Sequence, residues 1–304
     1  MRRWKSQASS RLWLAIALFV LAAAGAITLL ARIGLALDMP PVQWEINLGL
    51  YLQLLMGLAL LLAAGIFAYR VAATLTLSYG VDRNGFYILW LGNRTVVPLA
   101  QIESVESGAS LPEVAGSRAN SIGYFHGSIQ LPEGKVVQRF TTVPLAQALI
   151  LHTTGDSFAI SPENPETFVQ ELEQRRRIGV IQQLSTGVEA GRMFFYAFWD
   201  DRVVRTALLS AVGLSLLLVG WLAAIYPGLP PMIDLRADAA GMAMALHPRH
   251  QVLSLPLAAV AIILINSGFG MSLYSRTPVG ARLLQVASAL IQVLFAVALL
   301  TIVI

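Results

Sequence analysis

Long apolar stretches dominate the pattern of this chain. Five of them reach or exceed the roughly 20 helical residues needed to cross a hydrocarbon layer of about 30 Å. None contains a charged residue, and tryptophan and tyrosine residues near their ends suit the boundary between lipid and water. The pattern predicts five transmembrane helices, over 12–31, 48–69, 206–226, 252–274 and 283–304.

A basic leader precedes the first stretch and contains Arg2, Arg3, Lys5 and Arg11. A basic leader also begins a secretory signal peptide, whose apolar run is only about 7–15 residues long. The run here is longer, and no clear small-residue cleavage site follows it. We therefore expect a retained membrane anchor.

Lys and Arg residues in short loops determine which way a multi-pass protein faces. The leader, the connection at 275–282 and the two flanks of residues 70–205 carry most of these basic residues, and the opposite loops carry few. We therefore expect the N-terminus and residues 70–205 in the cytoplasm. The C-terminus is then expected outside the plasma membrane, because the number of spans is odd.

The insert between the second and third stretches has a different pattern. Along 74–81 the large side chains occupy every second position, which is typical of a strand with one buried face. Turn residues at 82–85 and 92–94 separate further short strands. Strands are predicted at 74–81, 86–91, 95–98, 102–106, 123–131, 136–142, 148–153 and 157–160.

One helix closes the insert. Asn164 can cap it, Pro165 suits its first turn, and the three arginines at 175–177 suit the negative end of its dipole. The sequence therefore predicts an α+β membrane protein, in which five transmembrane helices carry a cytoplasmic β-barrel or sandwich capped by one α-helix. The expected domains are two transmembrane helices (1–73), the inserted domain (74–178), an interfacial connector (179–205) and three transmembrane helices (206–304).

Four segments of the insert resemble bacterial pleckstrin-homology-like (PH-like) domains. They are Tyr-Gly-Val-Asp-Arg-Asn-Gly at 79–85, Val-Pro-Leu-Ala-Gln-Ile at 97–102, Gly-Tyr-Phe-His-Gly at 123–127 and Ile-Ser-Pro-Glu-Asn-Pro-Glu-Thr-Phe-Val at 160–169. The resemblance covers 74–178. It implies a bent seven-stranded sheet capped by the helix near 165–177, and it brings no catalytic residue.

The region from Trp199 onward resembles the membrane part of some uncharacterised bacterial proteins. Two motifs carry this resemblance, Tyr-Pro-Gly-Leu-Pro at 226–230 and Asp-Ala-Ala-Gly at 238–241. Those proteins often have a histidine upstream of the aspartate, where this chain has Arg236. This resemblance implies no activity either.

Composition and charge exclude several classes of protein. The chain is 56% hydrophobic and 12% charged, whereas soluble domains are about 25% charged, so a purely water-soluble globule is excluded. The absence of cysteine excludes disulfide scaffolds, cysteine nucleophiles and iron–sulfur clusters. Residues 70–205 carry a net charge of −1 although the whole chain carries +4, so we expect no nucleic-acid partner.

Common catalytic and nucleotide-binding motifs are missing. The chain contains no G-x-x-x-x-G-K-[ST], G-x-G-x-x-G, G-x-S-x-G or H-E-x-x-H sequence. His126 and His152 lie in predicted strands, where a histidine acts as a general base only beside an oriented partner. We therefore expect no enzyme activity, no catalytic residue, no metal and no cofactor.

The loop at 227–251 offers one alternative. Its residues Asp234, Asp238, His247 and His250 could present two carboxylates and two imidazoles to a divalent cation, as in a membrane enzyme with a metal site. Pro248 separates the two histidines, so they need not share one face. A solvated loop at the edge of the bilayer is the simpler interpretation.

Uncharged polar residues inside the last two spans offer a second alternative. They are Asn266, Ser267, Gln285, Ser288 and Gln292, and the two glutamines share one helix face because they are seven residues apart. Such residues join neighbouring helices by hydrogen bonds, or they line a transport path.

Three functions remain after these exclusions. The first is a non-enzymatic membrane protein that presents a PH-like domain at the cytoplasmic face for binding or assembly with a protein partner. The second is a transporter or channel subunit that uses Asn266, Gln285 and Gln292. The third is the membrane enzyme described above. Besides the lipid bilayer, we expect a protein partner, and the sequence leaves the oligomeric state open.

Overall fold

The computed structural model describes residues 2–110, 123–130, 136–178, 187–189, 198–234 and 246–303. The chain separates into two compact units. The first contains Met1–Ala24 and Leu60–Gly191, and the second contains Gly25–Ala59 and Arg192–Ile304. The first unit therefore combines the start of the first apolar helix, the end of the second and the insert.

Five helices in the described residues are long and apolar enough to cross a membrane. Each predicted span coincides with one of them. All but the helix at Ser254–Tyr274 extend past one end of the apolar stretch, because helical hydrogen bonding continues into the flank. In chain order the helices are α1 (Leu12–Leu37), α2 (Leu48–Thr76), the shorter α3 (Pro165–Ile178), α4 (Arg202–Ile225), α5 (Ser254–Tyr274) and α6 (Pro278–Val303).

The strands of the first unit form two five-stranded sheets. In chain order the strands are β1 (Arg2–Lys5), β2 (Ser78–Val81), β3 (Gly85–Trp90), β4 (Asn93–Pro98), β5 (Ile102–Ser107), β6 (Phe125–Gln130), β7 (Val136–Thr141), β8 (Leu149–Thr153), β9 (Ser157–Ile160) and β10 (Gly187–Glu189). The first sheet has the order β1-β2-β3-β4-β10 and is antiparallel. The second has the order β5-β8-β9-β7-β6, in which β7 and β9 are parallel.

One apolar core is shared by the two sheets and α3. Tyr79 and Phe86 reach it from the first sheet, Phe140 and Phe158 from the second, and Phe168 from α3. The Tyr79 hydroxyl also joins the sheets directly, since it donates to the carbonyl of Phe140 at 2.7 Å. The predicted helix near 165–177 is therefore confirmed, and its apolar stripe closes the core.

Two expectations for the insert are wrong. Residues 74–76 form the last turn of α2 rather than a strand, and the hydroxyls of Thr74 and Thr76 bond to carbonyls four residues earlier in the helix. The strand preference of threonine depends on its context, and here continuation of the helix overrides the alternating pattern. The second error is the barrel, together with the single seven-stranded sheet that the family resemblance implied, because the strands form two separate sheets. Two sheets around one core correspond to the sandwich, the other alternative.

Besides the end of α1 and the start of α2, the second unit contains α4, α5, α6 and a short hairpin. The hairpin pairs β11 (Met232–Asp234) with β12 (Leu246–Pro248). Ile233 and Val252 pack with Leu222 of α4 and Leu299 of α6 in one apolar cluster. The described parts of the connection between α4 and α5 are therefore held against the helix ends by apolar contacts.

Candidate functional site

The N-terminal leader is a strand of the β-rich module. β1 pairs with β2 in antiparallel register, with Trp4 opposite Tyr79. Trp4 is 8% exposed and meets the ring of Phe168 edge to face at 6.0 Å. Four basic residues accompany this one apolar side chain, and their charge predicted a membrane flank rather than a strand of the module.

The module also packs directly on the helix ends to which it is joined. Ala73 of α2 and Leu77 belong to the core shared by the sheets. The Leu91 amide, in the turn between β3 and β4, donates to the Thr76 hydroxyl at 3.1 Å. Gly123 has φ +86°, and a side chain there would contact Thr74 of α2 and Ala15 of α1. These contacts fix the module relative to the start of α1 and the end of α2.

Residues 77–176 match the family model of a bacterial PH domain. The match covers about a third of the chain and includes β2–β9 and most of α3. Comparison with curated proteins and with solved structures gives no significant match. The resemblance stated from the four motifs is therefore confirmed for this segment.

Strands from outside the PH domain pair with both edges of its first sheet. β1 pairs with β2, and β10 pairs with β4. In the second sheet the edge strands are β5 and β6. His126, Ser128 and Gln130 of β6 are exposed, with Gly127 and Ile129 half-buried between them. An edge strand with alternating exposed side chains can accept another strand.

Several basic side chains of the PH domain bind groups of the same chain. Arg2 and Arg175 share the carboxylate of Glu171, and the hydrogen bond from Arg175 lowers the pKa of that carboxyl group. The Arg94 guanidinium lies 4.1 Å from the centre of the Tyr87 ring. Arg139 is 5% exposed. Among the described residues, Arg2, Arg94 and Arg175 are therefore already engaged within the chain.

His126 lies against three aromatic rings where β6 meets β3. Its ring stacks on Tyr124 at 5.7 Å and lies 5.2 Å from the Phe140 ring and 6.0 Å from the Trp90 ring. Although part of the residue stays exposed, desolvation by these neighbours lowers the pKa of His126, and the positive charge of Arg139 lowers it further. The neutral imidazole is therefore the form that the folded domain favours.

We expect acidification to destabilise the PH domain through His126. The usual pKa of a histidine is 6.5, and folding lowers that of His126. As the pH falls from 6.5 through the folded pKa, the unfolded chain binds more protons than the folded one, so the domain loses stability. The measurement is the urea midpoint of the full-length protein at pH 7.5 and 5.5. His126→Gln should reduce the difference between the two midpoints. An equal difference between the two midpoints in wild type and in His126→Gln would contradict the role given to His126.

The predicted polar residues of the last two spans meet at the contact between α5 and α6. Gln285 donates to the Asn266 carbonyl at 2.9 Å, and the Asn266 amide donates to the Ser288 hydroxyl at 2.9 Å. Gln292 donates to the Ala259 carbonyl at 3.0 Å, and its side chain is fully buried. These bonds favour the interpretation that the residues join the helices.

Gly270 and Asp201 also belong to this contact. Gly270 is one of the small residues expected to let helices approach closely, and a Cβ atom there would lie 2.7 Å from the Gln285 amide nitrogen, so Gln285 would have to shift. The sequence pattern placed Asp201 at the water edge. Asp201 caps α4 and accepts hydrogen bonds from Tyr274 at 2.9 Å and Arg282 at 2.7 Å. The capping position of Asp201 was detectable from sequence, but its two distant partners were not.

The proposed metal ligands of the loop are only partly brought together. Asp234 and His247 lie on the paired strands β11 and β12, and His250 follows in a short 3₁₀ turn. Asp238 lies outside the described residues. Within the described ranges, no group of three or more His, Cys, Asp or Glu side chains is placed to hold a metal ion.

Proposed function

We propose that this chain is a non-enzymatic, multi-pass membrane protein that presents its PH domain at the cytoplasmic face as a docking module for a protein partner. The observation that carries the proposal is the continuous packing of the PH domain on the ends of α1 and α2. A module attached by a flexible linker would have no such contacts.

Strand pairing supports a common side for the N-terminus and the PH domain. β1 precedes α1, β2 follows α2, and the two strands are hydrogen-bonded neighbours. Paired strands must lie on the same side of any bilayer that α1 and α2 cross, which requires those helices to form a membrane hairpin. The excess of Lys and Arg on that side favours the cytoplasm.

Charge and edge geometry favour a protein over an anionic headgroup. Recognition of clustered phosphates needs several unpaired Lys or Arg side chains, but Arg2, Arg94 and Arg175 already contact Glu171 or Tyr87. β6 instead offers backbone groups at a sheet edge together with exposed Ser128 and Gln130. A strand of a partner protein can add to such an edge.

A single-cysteine experiment tests both parts of the proposal, because the native chain has no cysteine. Ser128→Cys on β6 and the control Gln174→Cys on α3 are each introduced into the full-length protein. In intact cells both positions should resist a membrane-impermeant maleimide and should react after permeabilisation. Labelling of either position from outside would contradict the cytoplasmic placement.

The same variants then test the partner. A benzophenone maleimide is attached to the cysteine in inverted native membranes and irradiated. We expect a discrete protein adduct from position 128 that is absent from position 174. Adducts with lipid alone, or the same adducts from both positions, would overturn docking at β6.

A further inference from the structure

An apolar cavity of about 500 Å³ lies among four helices of the second unit. Leu37 of α1, Leu54 of α2, Leu216 of α4 and Leu257 of α5 each contribute to its wall. This volume is within the range of about 300–1,000 Å³ that is usual for small-molecule sites. Nothing derived above uses the cavity.

Specific contacts between the helices hold the walls of the cavity. The Tyr51 hydroxyl of α2 donates to the Leu216 carbonyl of α4 at 2.7 Å. A Cβ atom on Gly220 would lie 2.7 Å from the Tyr51 ring, so glycine allows this close approach. On the other side, Gly57 of α2 lies against Leu30 of α1. Close packing between neighbouring helices therefore holds the walls of the cavity in place.

The polar groups of two large lining residues are already satisfied. The Tyr51 hydroxyl is bonded as described, and the Trp44 indole nitrogen donates to the Met39 carbonyl at 2.8 Å. An apolar cavity whose polar neighbours are paired does not retain water, because a bound water needs about two to four polar partners. The occupant must therefore be apolar.

The size of the cavity excludes a helix as its occupant. A helix about 10 Å across occupies about 420 Å³ in each turn, so this cavity would hold only about one turn. A second copy of a membrane-spanning helix therefore does not fit. A flexible hydrocarbon chain is narrow enough to enter and is the apolar material that surrounds such helices in a bilayer.

The four contributing helices place the cavity in one half of the bilayer. Its lining comes from the C-terminal ends of α1 and α4 and the N-terminal ends of α2 and α5. Because successive spans cross in opposite directions, these four ends lie on the same side, opposite the N-terminus. We propose that the cavity binds one acyl chain of a phospholipid from that leaflet. This inference rests on the membrane placement proposed above.

Photolabelling in a defined bilayer tests the inference. The full-length protein is reconstituted into vesicles of phosphatidylethanolamine and phosphatidylglycerol that contain a phospholipid with a diazirine in its acyl chain. We expect labels to concentrate on peptides that contain Leu37 and Leu54, which line the cavity and are half-buried. Outward-facing Leu217 and Leu290, which are 69% and 61% exposed, should carry only background label.

A matched pair of variants on α2 separates the cavity from the surrounding lipid. Leu54→Trp fills the cavity and should reduce labelling of the lining about tenfold, the change that a loss of about 1.4 kcal/mol in binding produces. Leu52→Trp places the same ring on a non-lining position of the same helix and should leave the labelling unchanged. Leu216→Trp, at a half-buried lining position of α4, replaces Leu54→Trp if the latter does not yield monodisperse protein.

Two outcomes would overturn the inference. One is even labelling along the outward faces, which would retain the membrane placement while showing only surrounding lipid. The other is unchanged labelling of the lining in the cavity-filling variant. A protein that fails to enter vesicles at all would instead overturn the membrane placement itself, and the inference with it.

Discussion

Replacing Trp4 with alanine should lower the free energy of unfolding of the PH domain by about 3–5 kcal/mol, the usual cost of removing a large buried aromatic side chain. Trp4 lies far in sequence from the matched segment at 77–176, yet it is buried in the same core. The variant loses the edge-to-face contact with Phe168 and leaves a cavity between β1 and α3.

Proteolysis of the full-length protein in lipid nanodiscs, at increasing urea concentrations, measures this loss through the opening of the PH domain. Trp4→Phe is the informative control, because the Trp4 indole nitrogen is buried without a hydrogen-bond partner in the described structure. Phenylalanine keeps most of the apolar volume and removes that unpaired group, so the expected loss is much smaller. Arg3→Ala, at an exposed position of the same strand, should change little. Equal urea midpoints for Trp4→Ala and Arg3→Ala would show that β1 does not support the domain.

Replacing Asp201 with alanine should destabilise the start of α4 by about 2–3 kcal/mol. The carboxylate accepts from the amides of Val203 and Val204, and a helix cap of this kind contributes about 1 kcal/mol. It also accepts a hydrogen bond from Tyr274, which contributes about 1.5 kcal/mol, the lower end for a bond to a charged group. Arg282 is 46% exposed, so its ion pair with Asp201 adds little to this sum.

Amide hydrogen exchange in the first turn of α4 measures this effect. Asp200→Ala is the matched control, since Asp200 is exposed and adjacent. Exchange that is as slow in Asp201→Ala as in Asp200→Ala would contradict the role of the cap.

The same cap should also respond to acid. Burial acts to raise the pKa of Asp201, but the hydrogen bonds from Arg282, Tyr274 and the two amides outweigh burial and hold the pKa below its usual value of 3.8. A carboxylate with a lowered pKa stabilises the folded state fully at pH values above its usual pKa. That stabilisation is lost as the pH falls through the folded pKa. Protection of the α4 amides should therefore be constant from neutral pH to about pH 4 and decrease below it.

Local sequence patterns were sufficient to predict the helices and strands whose exposed face meets a single environment, either water or lipid. The five apolar helices, the amphipathic α3 and most strands of the PH domain follow from periodicity read over a few residues. The exceptions occur where two elements meet. Thr74 and Thr76 alternate as strand residues do, but they bond within α2 because that helix continues to the first residues of the sheet.

The polar residues of the last spans illustrate the limit for the candidate site. Sequence placed Gln285 and Gln292 on one face of a helix, but their partners are backbone carbonyls of Asn266 and Ala259 on α5. Every residue has a backbone carbonyl, so the sequence does not show which carbonyl a glutamine will bind. Only the hydrogen bonds in the structure favour helix packing over a transport path.

The sequence by itself determined which segments prefer an apolar environment and which form a β-rich module, because each preference is a property of consecutive residues. The tertiary structure decided that the basic leader completes the first sheet, that Asp201 joins α4 to Tyr274 and Arg282, and that four helix ends enclose a cavity. Each of these depends on surfaces that are distant along the chain. Pairing and packing free energies are determined by which distant surfaces meet, and a one-dimensional pattern does not contain that information.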